Sequence, residues 1–217
     1  MLFRLFSDPR EFILGLLLSI PGLIIALSMH EFAHGFAAYK MGDNTAKHYG
    51  RLTLNPFHHL DLMGTLCLFL CGFGWAKPVP INPYNFKHRK LGVIVVSLAG
   101  PMMNFIIALL SAFITKIISM YMPSNELTQF LYSIMEYCMY LNIGLMCFNL
   151  IPIPPLDGSK VLLELLPFGL RRSYYQLERY SSLILVVILL TGILDPVLVT
   201  MRSAIENVIM FIVGLIF

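Results

Sequence analysis

Charge is what this chain lacks. Of its 217 residues only 12% are Asp, Glu, Lys or Arg, where soluble domains carry about a quarter. From Leu62 to Asn125 there is no carboxylate at all. The chain also has no internal repeat, no low-complexity linker and no basic patch interleaved with aromatics. Those absences exclude a soluble enzyme with a membrane tail and a nucleic-acid-binding module. Cysteine is scarce too. Cys67, Cys71, Cys138 and Cys147 all sit in apolar runs, where a thiol behaves as a small hydrophobe, so neither a disulfide framework nor a cysteine metal site is expected.

Apolar sequence is what the chain has, 58% hydrophobic with mean hydropathy +0.77. This predicts an all-α polytopic membrane protein of about five to six hydrophobic segments, folded as a single domain over 1–217, with a core at about 12–166 and C-terminal helices at 180–217. The segments run from about Glu11 to Met41, Leu91 to Thr115, Leu127 to Leu150, Ser181 to Leu194, and Asp195 to the C-terminus, with Asp195-Pro196 read as cap and first helical position. Arg202 and Glu206, four apart, suggest an ion pair on that last helix. Leu62–Ala76 is uncharged but short for a span of roughly 30 Å, and reads as re-entrant or membrane-lying. Gly50–Asn55 alternates and ends at Pro56, and Pro78–Asn82 is extended by its prolines, so short strands are expected between the first two core spans. His58 and His59, near Asp61, read as a solvated interfacial pair. Cleavage at Ala26-Leu27-Ser28 as a signal peptide is rejected, because it would destroy the helix that carries the next motif.

That motif is His30-Glu31-Phe32-Ala33-His34. On a helix, His30 and His34 share a face one turn apart and can hold one zinc ion, and Glu31 points where it can take a proton from water on the metal. Two histidines and a carboxylate in an apolar segment would each cost roughly 2.5–3.5 kcal/mol if charged and unpaired at the membrane centre, which favours a metal site over a chance match. A catalytic zinc site needs a third protein ligand. Excluding carboxylates at segment ends and in polar surroundings leaves Asp61, Glu136, Asp157 and Asp195. Asp157 is preferred among these, because Pro152, Pro154 and Pro155 force non-helical backbone there, as expected of a cavity lining. The loops at 87–90 and 160–179 are basic and the turn at 120–125 is not, so the first two are assigned to the cytoplasmic side.

Three motifs in order resemble the site-2 protease family of intramembrane zinc metalloproteases: His30–His34, Gly100-Pro101-Met102-Met103-Asn104, and Asn149–Pro152 through Leu156-Asp157-Gly158. The stretches 50–56 and 75–82 are similar to a short prokaryotic branch without a PDZ or CBS domain. The resemblance implies one Zn2+ per chain on His30, His34 and Asp157, with Glu31 as the catalytic base. It implies that Asn149 lies near the substrate or the oxyanion, with Asn104 carried as a second substrate-side or packing residue. The partners it implies are transmembrane protein substrates and the lipid bilayer, in a multi-pass protein of the prokaryotic cell membrane with its site toward the cytoplasm. An extended substrate would add as a strand beside 50–55 or 78–82. The rival readings are a membrane zinc-binding or transport protein and a non-catalytic scaffold for transmembrane helices.

Overall fold

A computed structural model describes residues 9–71 and 74–217. Helices α1 (Pro9–Met41), α4 (Arg89–Tyr121), α5 (Glu126–Leu150) and α9 (Asp195–Gly214) are long and apolar enough to cross a membrane. Between them lie α2 (Thr45–His48), α3 (Leu62–Cys71), α6 (Asp157–Leu165), α7 (Phe168–Glu178) and α8 (Ser181–Thr191). Helices α1, α4 and α5 pack pairwise against one another, α6 closes on α4 and α5, and α9 lies along α4 and α5. The apolar core runs through Ala108, Met139, Ile143, Cys147, Leu198 and Ile209. Small residues such as Ala108 and Cys147 face inward, while large ones such as Leu110, Ile114 and Phe211 face out. Helices that pack in lipid approach closely through small side chains, because lipid itself solvates the large ones.

The chain turns where its sequence forbids continuation. Helix α1 ends at Met41, Gly42 takes φ +110°, and the Asp43 N–H returns to the Ala38 carbonyl at 2.9 Å. Helix α5 opens with a reciprocal cap between Asn125 and Thr128 and ends before the proline-rich stretch at 152–155. Helices α3 and α8, of 10 and 11 residues, are about 15–17 Å long, half of what a bilayer core requires. The ends of the α3 segment meet: Leu60 pairs with Ala76 in an antiparallel bridge, and a side chain on Gly64 would strike the Trp75 carbonyl. Leu60 and Ala76, at the two ends of the segment, therefore lie side by side.

Several expectations need correcting. Among the described residues that bridge is the only strand-like pairing; 50–55 runs through bends, because no neighbouring strand lies beside it. His59 is not solvated. It is fully buried, and its ring Nε2 donates to the Thr53 carbonyl at 2.8 Å, which fastens the connector, whereas His58 is exposed. Asp195 is the first helical residue of α9 rather than its cap, and its side chain makes no capping bond. Arg202 and Glu206 form no ion pair; Glu206 accepts instead from the Tyr140 hydroxyl at 3.2 Å.

Candidate metal centre

His30 and His34 lie on α1, with His34 about 10 Å before the helix end at Met41. Asp157 is the first residue of α6, just beyond the C-terminal end of α5. The three side chains meet. His30 Nε2 and His34 Nε2 stand 3.0 Å apart, and they lie 3.1 and 3.0 Å from Asp157 Oδ2. All three residues are buried, and they form the one three-residue cluster of metal-type ligands found among the described residues. Ligands about 2.0–2.1 Å from a tetrahedral ion stand roughly 3.3 Å apart, close to the triangle seen here.

The hydrogen bonds behind the histidines decide their chemistry. His34 Nδ1 lies 2.7 Å from the Val96 carbonyl, which can only accept, so that nitrogen carries the proton. His30 Nδ1 lies 2.6 Å from Asn104 Oδ1. The Asn104 amide is itself oriented by its Nδ2, which donates to the Ala26 carbonyl at 3.1 Å and to Asn142 Oδ1 at 2.9 Å. Asn142 in turn donates to the Cys138 carbonyl at 2.8 Å. Both imidazoles therefore turn bare Nε2 lone pairs toward a carboxylate oxygen. Such a set of convergent acceptors binds a cation, and the second-layer hydrogen bonds are those that orient metal-ligating histidines. The residues fit one zinc ion.

Two glycines make the approach possible. A β-carbon on Gly100 would lie 2.5 Å from His34 Nε2 and 2.7 Å from His30 Nε2, so α4 can pass beside the ligands only without a side chain there. A β-carbon on Gly158 would lie 2.2 Å from the Leu150 carbonyl, so α6 can start against the end of α5 and deliver Asp157 only with glycine next to it. Lys160 pairs with the other Asp157 oxygen at 3.0 Å.

A cavity of about 1180 Å³ opens on the ligands and on Glu31. Glu31 Oε2 accepts from the Val79 N–H at 2.9 Å. In Pro78-Val79-Pro80 only valine has an N–H, and this tripeptide gives its single backbone donor to Glu31. The loop is tied down in turn. Asp43, fully buried, accepts from Thr45, from the Asn82 N–H at 2.7 Å and from Asn85 Nδ2 at 2.7 Å, joining the two ends of the connector. Burial alone would raise the Asp43 carboxyl, but these bonds outweigh it and hold the group below the usual carboxylate range.

The structure thus brings His30, His34 and Asp157 together and sets Glu31 beside them. Asn149 lines the same cavity, with Nδ2 donating to the Leu145 carbonyl at 3.0 Å. Asn104 is placed differently from a substrate-side residue: it is fully buried behind His30 and outside the cavity lining. Asp61, Glu136 and Asp195 lie outside the cluster, and Asp61 accepts from the Gly64 N–H at the start of α3. Sequence reasoning missed Asn142, Asp43 and the Val79 N–H. A buried asparagine in a span was the available signal for Asn142; nothing local marks the other two.

Comparison with known proteins identifies the family. A family model described as Peptidase family M50 matches residues 114–192, which include Asp157. The chain is 41% identical over 201 residues to "Putative zinc metalloprotease YwhC" of Bacillus subtilis (strain 168), covering 90% of each chain. It is 30% identical over 193 residues to a zinc metalloprotease similarly named, Rip2 of Mycolicibacterium smegmatis, covering 86% of this chain and 72% of that one. It is 26% identical over 158 residues to another so named, MJ0611 of Methanocaldococcus jannaschii, covering 73% and 75%. No solved structure matches. The identity along nearly the whole length of YwhC, with the M50 match over the segment that delivers Asp157, shows that this chain belongs to peptidase family M50, the site-2 proteases.

Proposed function

We propose that this protein is an intramembrane zinc metalloendopeptidase that hydrolyses peptide bonds in or near transmembrane segments of other membrane proteins, in regulated intramembrane proteolysis. The observation that carries the reading is Glu31. It lines the same cavity as the three ligands yet is not one of them, and it is held by a backbone N–H rather than by a cation. A zinc store or carrier has no use for such a carboxylate; a hydrolase needs it as a base.

His30 Nε2, His34 Nε2 and Asp157 Oδ2 would hold the zinc, which when bound supplies a Lewis acid that polarises the scissile carbonyl and acidifies water. Glu31 keeps Oε2 on the Val79 N–H and uses Oε1 to take the proton of the attacking water. It then passes that proton to the leaving amine nitrogen. Asn149 has one amide N–H beyond the one given to Leu145, and this can donate to the oxyanion, a contribution of roughly 2.7–4 kcal/mol for donors of this kind. The cavity wall of apolar residues such as Leu141, Leu145 and Phe148 receives an apolar, locally unwound substrate segment. The loop at 78–82 is the edge beside which that segment would extend.

The single domain over 1–217 would lie in the prokaryotic cell membrane, with the site opening toward the cytoplasm. Supporting this, the ligands sit near the end of α1, the start of α4 and the end of α5, and that side carries Lys87, Arg89, Lys90, Arg171 and Arg172. The test compares membrane-protein fragments in cells of the source organism that carry wild type or Glu31→Gln. Truncated transmembrane stubs are expected only with wild type, and they name the substrates. Identical fragments in both strains, at equal protein and zinc content, would remove the protease reading.

A further inference from the structure

The wall of the cavity opposite the ligands is built from α8 and α9 and is apolar, with Leu185, Leu189 and Leu198, except for Arg202. Arg202 lies inside a candidate membrane span, about 10 Å along α9 from Asp195. Its guanidinium rests on the backbone of Gly144, where a β-carbon would be 3.2 Å from Nη2. Glu206 faces Tyr140, and Arg202 faces Gly144, so α9 runs antiparallel to α5. Asn142, two residues from Gly144, belongs to the hydrogen-bonded chain that ends on His30. Arg202 therefore lines the same cavity as the metal ligands, at a level on α5 within one turn of the chain that ends on His30.

The charged residues lining the cavity are Glu31, Asp157, Lys160 and Arg202. The first two have partners in Val79 and the ligand cluster, and Lys160 pairs with Asp157. Among the described residues Arg202 makes no hydrogen bond and no ion pair, and the acid one turn along its own helix is engaged by Tyr140. A cation within a span is costly and is kept where it faces a cavity and a partner. Guanidinium pairs best with a planar carboxylate, by two parallel hydrogen bonds.

We propose that Arg202 is an anion subsite of the catalytic cavity, and that it engages a carboxylate side chain of the bound peptide near the scissile bond. This rests on the protease reading above. A lipid phosphate shares the chemistry, but its headgroup lies at the membrane surface rather than at the depth of the ligands. The subsite would make the enzyme select apolar segments that carry one Asp or Glu close to the cleavage point.

The test uses the full-length zinc-loaded protein in phosphatidylcholine nanodiscs and a set of apolar peptide hydroxamates. The set is identical except for a Glu, Gln or Lys scanned through successive positions, and binding is read by competition. At one position the Glu peptide is expected to bind about tenfold tighter than its Gln partner, the worth of a charge-assisted hydrogen bond. Arg202→Gln should erase that difference, and Arg202→Glu should transfer the preference to a Lys peptide. One zinc per chain in both variants shows that they are folded at the centre. Equal binding of Glu and Gln peptides at every position, or a preference that survives Arg202→Gln, overturns the subsite while leaving the protease reading intact. Loss of the preference when net-anionic phosphatidylglycerol replaces zwitterionic phosphatidylcholine assigns the site to an anionic lipid headgroup and overturns the peptide carboxylate. Failure of every hydroxamate to bind overturns both readings.

Discussion

The two walls of the cavity are built on opposite principles. On the ligand side, the polar groups behind the histidines are committed: Val96, Asn104, Asn142, Ala26 and Cys138 join them in buried hydrogen-bond chains. On the far side, α8 and α9 offer apolar surface and Arg202, which has no ion-pair partner among the described residues. A satisfied buried network fixes one geometry, because any rearrangement strands a polar group at about 1–3 kcal/mol. An apolar wall has no such preference. The contrast divides the site: one wall fixes the ligand side chains, and the other presents apolar surface with Arg202 in it.

That contrast is broken most severely at the ligands themselves. Replacing His34 by Ala, or Asp157 by Asn, should reduce zinc per chain from one to near zero by mass spectrometry and abolish cleavage. Gly100→Ala comes next. Its methyl would intrude on both imidazoles, and zinc affinity should fall at least tenfold by chelator competition. Asn142→Leu touches no ligand, yet it removes the acceptor that orients Asn104; zinc affinity should fall roughly tenfold, within the range for outer-layer partners of metal ligands. If Asn142→Leu instead leaves zinc affinity unchanged, the ligand wall is less tightly specified than its hydrogen bonds imply.

Asp43 tests the loop over Glu31. Its carboxyl is held below the usual range in the folded protein, so its stabilising contribution is present above the unfolded value, near pH 4, and is lost as pH falls through the folded value. Asp43→Asn should cost about 1–3 kcal/mol at neutral pH and should flatten the fall in Tm on acidification below about pH 4. The smallest effect is expected at Lys160, whose side chain is half exposed. Lys160→Met should change stability by less than about 1 kcal/mol in a thermal melt, as for other exposed pairs.

The sequence was most informative where chemistry is local. His30, Glu31 and His34 declare themselves by a helical spacing, and the long apolar helices by length, so their bounds lie within six residues of expectation, the largest gap being the end of α4 at Tyr121. Asp157 was preferred among four carboxylates only for the proline-forced backbone beside it, and the family resemblance then singled it out, because its meeting with α1 spans 127 residues of chain. The limits of local reasoning show in the asparagines. Asn104 was grouped with Asn149 by motif, but helix rotation turns Asn104 behind His30 and leaves Asn149 on the cavity. Strands were expected from alternation at 50–55, and alternation alone cannot supply a neighbouring strand. Asp43 was missed, since its partners Asn82 and Asn85 lie about forty residues onward.

The most direct test of the centre is zinc K-edge X-ray absorption on the metal-loaded protein, wild type beside Asp157→Asn. The account predicts nitrogen and oxygen scatterers at about 2.0–2.1 Å with the multiple scattering of two imidazoles, and a changed or lost spectrum in the variant. A sulfur shell near 2.3 Å, or a spectrum indifferent to Asp157, would contradict the assignment of His30, His34 and Asp157 as the ligands.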